Sequence, residues 1–166
     1  MNALVFRKAT INDLDEIMTI YSDAREFMRN SGNKDQWTNG YPQRELTETS
    51  ISDGDLYVCV DDEAILCVYY FKIHVDPTYV KIYNGNWLND EPYGVIHRIA
   101  VAKSARGKGI AAKVFDECLK HTKNLRIDTH RANTPMQRTL KKCGFKHCGK
   151  IYLENGDERL AFQKSI

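Results

Sequence analysis

A glycine-rich basic segment in the second half of the chain has the residue types of a phosphate-binding loop. It reads Ser104-Ala105-Arg106-Gly107-Lys108-Gly109-Ile110-Ala111-Ala112. Glycines let backbone amides approach a ligand closely, and the helix that follows offers unpaired N–H groups and partial positive charge. Arg106 and Lys108 add charge at the rim. The segment therefore predicts a site for a phosphorylated ligand.

Other interpretations of this loop remain open on these residues alone. A Walker A loop is excluded, because no GxxxxGK[ST] pattern exists. A dinucleotide-binding GxGxxA pattern matches at Gly107, Gly109 and Ala112, with Asp128 near the place of a ribose-binding acid. That pattern normally opens a βαβαβ unit, whereas here it comes late and precedes a terminal hairpin. A tight strand-to-helix turn with incidental charges would also contain two glycines.

Hydrophobic periodicity and turn residues predict the elements that position the loop, in the order β-α-α-β-β-β-α-β-α-β-β. Strands are predicted at residues 4–6, 55–60, 64–75, 94–101, 125–129, 145–153 and 159–163. Helices are predicted from Thr10, which opens a capping box, to near Gly32, over 43–52, from Ile110 to Leu119, and from Thr134 as N-cap to Gly144. Strand 94–101 is apolar on both faces, which indicates a central position in a covered sheet.

This order predicts an α/β (α+β) fold, in which a mixed central sheet of about six to seven strands carries helices on both faces. The 166 residues predict a single domain over 1–166. No apolar run approaches the roughly 18 residues of a membrane span, and residues 1–8 lack the layout of a signal peptide. Five scattered cysteines without a CxxC pair predict no metal site, no disulfide framework and a cytoplasmic location.

The net charge of +2 is divided unevenly along the chain. Residues 1–62 contain 6 Lys and Arg against 12 Asp and Glu, whereas residues 96–166 contain 16 against 6. The basic half fits an anionic partner, and the acidic half is compatible with a cationic one. Aromatic residues are not interleaved with the cations as a stacking platform requires, so no nucleic-acid partner is expected.

Three motifs in series resemble the GNAT family of acyltransferases. They are His97-Arg98-Ile99-Ala100-Val101, then Arg106-Gly107-Lys108-Gly109-Ile110-Ala111, then Asn133 through Gly144-Phe145. The family pattern is a strand with a short apolar end, an R/Q-x-x-G-x-G/A loop, and N-x-x-A-x-x-x-Y-x-x-x-G-F. The similarity covers roughly residues 94–147, and the rest of the chain agrees in element order.

The resemblance implies acetyl-CoA as co-substrate. Strand 94–101 would splay from strand 125–130, with the pantetheine arm bonded to main chain around Ile99, Ala100 and Val101. The pyrophosphate would lie on the amides of the loop, with Asn133 steadying the pantetheine or acyl region. The implied cofactor-binding residues of the loop are Arg106, Gly107, Lys108, Gly109, Ile110 and Ala111, and Lys141 or Lys142 is the candidate for the 3′-phosphate.

Amide formation requires a neutral amine, and a general base near pH 7 meets that need. His97 is the first candidate, predicted on the same strand face as Ile99 and Val101, and the alternative is a packed histidine. His130, at the end of the next strand, is the second candidate. The predicted function is N-acetyl transfer by direct transfer in a ternary complex.

One position departs from the family pattern. Where many relatives carry a tyrosine that protonates the leaving thiolate, counting from Asn133 reaches Leu140. Water or another donor then protonates the thiolate, with Tyr152 a conceivable donor, or the thiolate leaves unassisted. Alternatively, the chain is a catalytically silent acyl-CoA sensor.

The acceptor is expected near an aromatic and polar loop that contains Gln36, Trp37 and Tyr41. The two rings could hold a cation, or they could pin the loop to the core. Small polyamines, amino acids, aminoglycosides and protein amines all remain open as acceptors. The chain is expected to act as a monomer or homodimer without a membrane partner.

Overall fold

The computed structural model describes residues 3–62 and 64–166, and these residues form one seven-stranded sheet with four α-helices. The elements are β1 (Val5–Lys8), α1 (Leu14–Asn30), α2 (Arg44–Ser52), β2 (Leu56–Asp61), β3 (Ala64–Ile73), β4 (Gly94–Val101), α3 (Ile110–Cys118), β5 (Asn124–Thr129), α4 (Thr134–Lys142), β6 (Lys146–Tyr152) and β7 (Glu158–Ser165). Within these ranges no helix has the length and apolar character that crossing a bilayer requires.

The strands lie in the order β1-β2-β3-β4-β5-β7-β6. Strands β4 and β5 are parallel neighbours, and every other neighbouring pair is antiparallel. Apolar residues of α3 and α4 pack on one face of the sheet, and those of α1 pack on the other. The predicted mixed sheet with helices on both faces is confirmed.

Local sequence signals explain where the helices begin. In the 3-10 turn Ile11–Asp13 that leads into α1, the backbone N–H of Thr10 donates to Asp13 Oδ2 at 2.7 Å, as the capping-box pattern predicts. The prediction of Thr134 as the N-cap of α4 is wrong by one residue. Asn133 occupies that position, and its Oδ1 accepts a bond from Met136 N at 3.1 Å. An asparagine caps a helix as well as a threonine does, so residue type alone does not separate the two.

Strand β4 contains a bulge at Arg98. The pairs Val68↔Ala100 and Tyr70↔His97 leave two residues of β4 opposite one residue of β3. Arg98 adopts φ 51°, a left-handed conformation that is uncommon for a residue with a side chain.

The bulge corrects one sequence-based prediction about His97. Alternation along a regular strand predicts that His97 shares a face with Ile99 and Val101, but the extra residue reverses the alternation. Ile99 and Val101 pack on the α3 side of the sheet. His97 lies opposite Tyr70, which packs on the α1 side.

Strands β4 and β5 diverge soon after they begin to pair. Only Gly94↔Leu125 and Val95↔Arg126 are paired among the described residues, although β4 continues to Val101 and β5 to Thr129. The two strands therefore form a wedge whose inner edges carry unpaired backbone groups. The bulge and the wedge together place His97 at the opening between the strands.

Candidate active site

A cavity of about 790 Å³ opens at the wedge between β4 and β5. Its walls come from both strands, α2, the loop before α2 and the β6–β7 hairpin. The sequence-predicted residues that line it are Gln36, Trp37, Tyr41, His97, Ile99 and Asn133. The fold thus brings the predicted base, the predicted acceptor loop and part of the predicted cofactor set to one space.

His97 lies between two carboxylates in this cavity. Its Nε2 is 2.7 Å from Asp76 Oδ2, and its Nδ1 is 3.9 Å from Asp128 Oδ2. Tyr79 Oη donates to the same Asp128 oxygen at 2.7 Å. The imidazole is 28% exposed, so it is reachable from the cavity.

Asp76 determines which nitrogen of His97 carries the proton. Its Oδ1 accepts bonds from Thr78 N at 2.9 Å and Thr78 Oγ1 at 2.7 Å. Burial favours the neutral acid, but the hydrogen bonds from His97 and Thr78 outweigh it and lower the pKa of Asp76 to about 2. An ionised carboxylate can only accept, so neutral His97 carries its proton on Nε2 and keeps a free lone pair on Nδ1.

Aromatic side chains hold Asp76 and its segment in place. Tyr93 Oη accepts a bond from Asp76 N at 3.0 Å. The guanidinium of Arg126 lies between two rings, 3.9 Å from the centroid of Tyr93 and 4.2 Å from that of Trp87. Such contacts between a cation and ring faces stabilise a buried arginine, and here they attach the irregular segment before β4 to β5.

Sequence reasoning missed Asp76 and assigned no catalytic role to Asp128. The signal for Asp76 is local, because an aspartate before proline with a hydroxyl two residues on is a typical cap for a short helical turn. The structure has that cap at Pro77–Tyr79. Nothing in the spacing relates this segment to His97, since the path of the irregular segment between β3 and β4 brings them together.

The glycine loop has the geometry that a phosphate cradle requires. Gly107 and Gly109 adopt φ 78° and 73°, and no atom lies within 4 Å of the place where a Cβ would stand at either residue. Gly109 occupies the N-cap position of α3 without a side-chain cap, so the first amides of the helix stay open. Lys108 is exposed at the rim, whereas Arg106 donates to Asp23 O on α1.

The predicted acceptor loop is both a cavity wall and part of the core. Asn133 Nδ2 donates to Gln36 Oε1 at 2.9 Å, and Gln36 O accepts a bond from Arg159 at 3.1 Å. The ring of Trp37 lies between two others, 5.6 Å from Tyr21 and 6.2 Å from Tyr41. The contact of Trp37 with Tyr21 attaches this loop to the core, and the binding of a cation by the two rings stays a prediction.

Other predicted residues lie away from the cavity lining. His130 Nδ1 accepts a bond from Ala132 N. Burial and, to a smaller extent, the positive charges of Arg159 and Arg131 lower the pKa of His130. Tyr152 packs edge-on against Tyr83 on the surface. Leu140 is fully buried beneath α3, and the two lysines that follow it are exposed at the end of α4.

Comparison with known proteins gives a consistent result. The model of the acetyltransferase (GNAT) family matches residues 14–145. An acetyltransferase of the GNAT family from Streptococcus agalactiae is 32% identical, with a TM-score of 0.89 over 98% of this chain and 95% of that one. One from Listeria monocytogenes is 18% identical, with a TM-score of 0.73 over 98% and 95%.

A ribosomal-protein-alanine N-acetyltransferase from Brucella melitensis, 18% identical, has a TM-score of 0.67 over 98% of this chain and 99% of that one. Among curated proteins no sequence matches. The family model spans most of the chain, including the wedge and the glycine loop. This chain therefore belongs to the GNAT family of acetyltransferases, whose members take their acetyl group from acetyl-CoA.

Proposed function

We propose that the chain works as one domain that transfers an acetyl group from acetyl-CoA to a primary amine by direct transfer in a ternary complex. One observation carries this proposal. His97 stands at the mouth of the β4–β5 wedge with Nε2 bonded to Asp76, and its Nδ1 lies 3.9 Å from Asp128 Oδ2, beyond hydrogen-bond distance. A histidine oriented in this way is equipped to accept a proton from an amine.

The residues at the wedge and the loop fit acetyl-CoA, which supplies an activated acetyl thioester when bound. Main-chain groups of Ile99 and Val101 lie on the edge of β4 that has no β5 partner, whereas Ala100 between them pairs with Val68 of β3, and an extended pantetheine arm would add to the free edge. Open space surrounds the positions that a Cβ would take at Gly107 and Gly109, which leaves room for the pyrophosphate to approach the amides of this loop. Asn133 lines the cavity together with Ile99.

His97 is the proposed general base. An amine that binds between His97 and Asp128 gives its proton to Nδ1, and Asp76 stabilises the imidazolium through the 2.7 Å contact with Nε2. Asp128 holds the ammonium form before that transfer. The nitrogen then attacks the thioester carbonyl carbon, the C–S bond breaks as the new C–N bond forms, and the second proton of the nitrogen passes to water.

The leaving thiolate takes its proton from water in this scheme. Leu140 stands at the family position of the thiolate-protonating tyrosine, is fully buried outside the cavity lining and has no proton to donate. Tyr152 packs on Tyr83 outside the cavity lining and has no part in the proposed reaction. A thiolate is itself an adequate leaving group, since thiols ionise near pH 8.5.

Two measurements test the proposal together. Calorimetric titration with acetyl-CoA measures binding, and thiol release across a panel of primary amines, with mass spectrometry of the products, measures transfer. We expect saturable binding, and thiol release that depends on the amine. Binding without release for every amine would instead support the acyl-CoA sensor that Leu140 suggests. The absence of binding at millimolar acetyl-CoA would refute both functions.

A further inference from the structure

The acceptor side of the cavity contains an arginine without an acidic partner. Arg98 lines the cavity, and its Nη2 donates to Ser50 Oγ at 2.9 Å. Its Nη1 is buried and has no hydrogen-bond partner among the described residues, and none of their carboxylates forms an ion pair with it. An unsatisfied donor on a charged group is costly to bury, so its retention calls for an explanation.

The backbone at this position adds to the cost. Arg98 is the bulge residue of β4, with φ 51°. This conformation is strained for a residue with a long side chain, and glycine or asparagine at the same position would be less strained. The bulge aims the side chain of residue 98 at the acceptor side, where its guanidinium lies 4.9 Å from the centroid of the Tyr70 ring.

The position of this cation relative to the proposed base limits what can bind. The His97 ring lies 5.6 Å from the same Tyr70 ring, so the guanidinium carbon and the imidazole centre are at most about 10.5 Å apart. Two hydrogen bonds of about 2.9 Å plus a molecule a few bonds long fill such a span. A ligand held at both ends would carry an amine at His97 and an anion at Arg98.

Acidic residues also line the cavity, namely Asp53, Asp55, Asp128, Glu154 and Asp157, but none of them lies within ion-pair distance of Arg98. Arg159 also lines the cavity, is buried, and forms no ion pair among the described residues, its donors being taken by backbone carbonyls. The carboxylate of Asp55 is paired with Lys72. A polyamine would place a cation against Arg98 without compensation.

We propose that the acceptor is a small zwitterion, an amino acid whose carboxylate binds Arg98 while its primary amine lies between His97 and Asp128. This inference rests on the proposed acetyl transfer and narrows its acceptor class. Arginine is suited to the role, because its planar fork matches a carboxylate in geometry and charge. Polyamines and protein amines lack a carboxylate at the required separation.

The test compares acceptors that share an amine and differ in the anion. Thiol release from acetyl-CoA is measured with a series of α- and ω-amino acids, their carboxamides, the matching alkylamines and a diamine. We expect kcat/KM for the best amino acid to exceed that for its carboxamide by about tenfold to a hundredfold, as expected for one charged hydrogen-bonded pair. Equal or better turnover of the carboxamide, the alkylamine or the diamine would overturn the inference and leave acetyl transfer standing.

Three variants assign the preference to one side chain. Arg98→Gln removes the charge, Arg98→Lys keeps it without the fork, and Arg131→Gln makes the matched change at an exposed arginine outside the cavity lining. We expect the acid-to-amide ratio to approach one in Arg98→Gln, to be intermediate in Arg98→Lys and to be unchanged in Arg131→Gln. A ratio is independent of the folded fraction, so partial unfolding does not mimic this result. An unchanged ratio in Arg98→Gln would overturn the inference, whereas no thiol release from wild type with any amine would refute the proposed function.

Discussion

The substitution Asp76→Asn isolates the charge that orients His97. Asparagine is as good a cap as aspartate, so the turn at Pro77–Tyr79 should persist. Thr78 donates two bonds to Oδ1, and the amide oxygen of the variant should remain there. The amide nitrogen then replaces Oδ2 at 2.7 Å from His97 Nε2 and donates to it. The proton of neutral His97 must move to Nδ1, which removes the lone pair that accepts the amine proton.

The expected loss follows from what the base contributes. General base catalysis is worth about 10²-fold to 10⁴-fold, and an aspartate-to-asparagine change behind a catalytic histidine in serine proteases costs about 10⁴-fold. We therefore expect kcat for Asp76→Asn to fall by about 10²-fold to 10⁴-fold. Affinity for acetyl-CoA should stay within about twofold, because Asp76 lies on the acceptor side of the sheet, away from the glycine loop.

The assay is thiol release at saturating acetyl-CoA, followed from about pH 6 to pH 9 around the range in which histidine titrates. Asp53→Asn is the matched control, since Asp53 lines the cavity without contacting His97. It should keep most of its activity. A rate for Asp76→Asn within threefold of wild type at every pH would refute the assigned role of Asp76.

The same carboxylate also links stability to pH. The folded state holds the pKa of Asp76 at about 2, below its ordinary value of 3.8. A lowered folded-state pKa gives stability that is present above the ordinary value and lost as the pH falls toward 2. At 1.36 kcal/mol for each pH unit, this contribution is about 2 kcal/mol. Urea unfolding between pH 6 and pH 3 should show a smaller loss in Asp76→Asn than in wild type, and parallel losses would contradict the depressed pKa.

Three further substitutions, with Gly156→Val as a control, test other parts of the site and the fold. Gly109→Val should weaken acetyl-CoA binding by at least about tenfold in calorimetry, because a side chain at φ 73° strains the loop and fills the open cradle. Gly156→Val is the control, because Gly156 also has a positive φ and open space around it. This variant should lower the stability of the fold and leave acetyl-CoA binding unchanged. Arg126→Met should lower the free energy of unfolding by about 1–3 kcal/mol through the loss of two ring contacts; an unchanged Tm would contradict that. Leu140→Tyr should destabilise the fold by about 2–4 kcal/mol without raising the rate, and a faster enzyme would show that residue 140 reaches the reaction.

The sequence predicted the elements because their signals are local. The stripe of α3, the capping box at Thr10 and the turn glycine at 144 each lie within a few residues of the structure they specify. The mixed sheet followed from the order of strands and helices. The divergence of β4 and β5 came from the family resemblance, since no local pattern encodes the end of a strand pairing.

Only part of the site could be predicted from the sequence. The contacts of His97 with two carboxylates could not, because they join residues that are distant in the chain. His97 was identified, but its face was wrong because one bulge residue with an ordinary side chain reverses the alternation of β4. Asp76 reaches His97 from an irregular segment 21 residues earlier in the chain. Asp128 reaches it from the neighbouring strand, through a register that only the folded sheet defines.

The most direct test of the central claim compares wild type with His97→Ala in single turnovers at saturating acetyl-CoA and a common amine. The account predicts unchanged acetyl-CoA affinity and a loss in the transfer rate of about 10²-fold to 10⁴-fold, the contribution of a general base. A His97→Ala rate equal to wild type would contradict it, because the wedge, the glycine loop and the two carboxylates would then act without the base they surround.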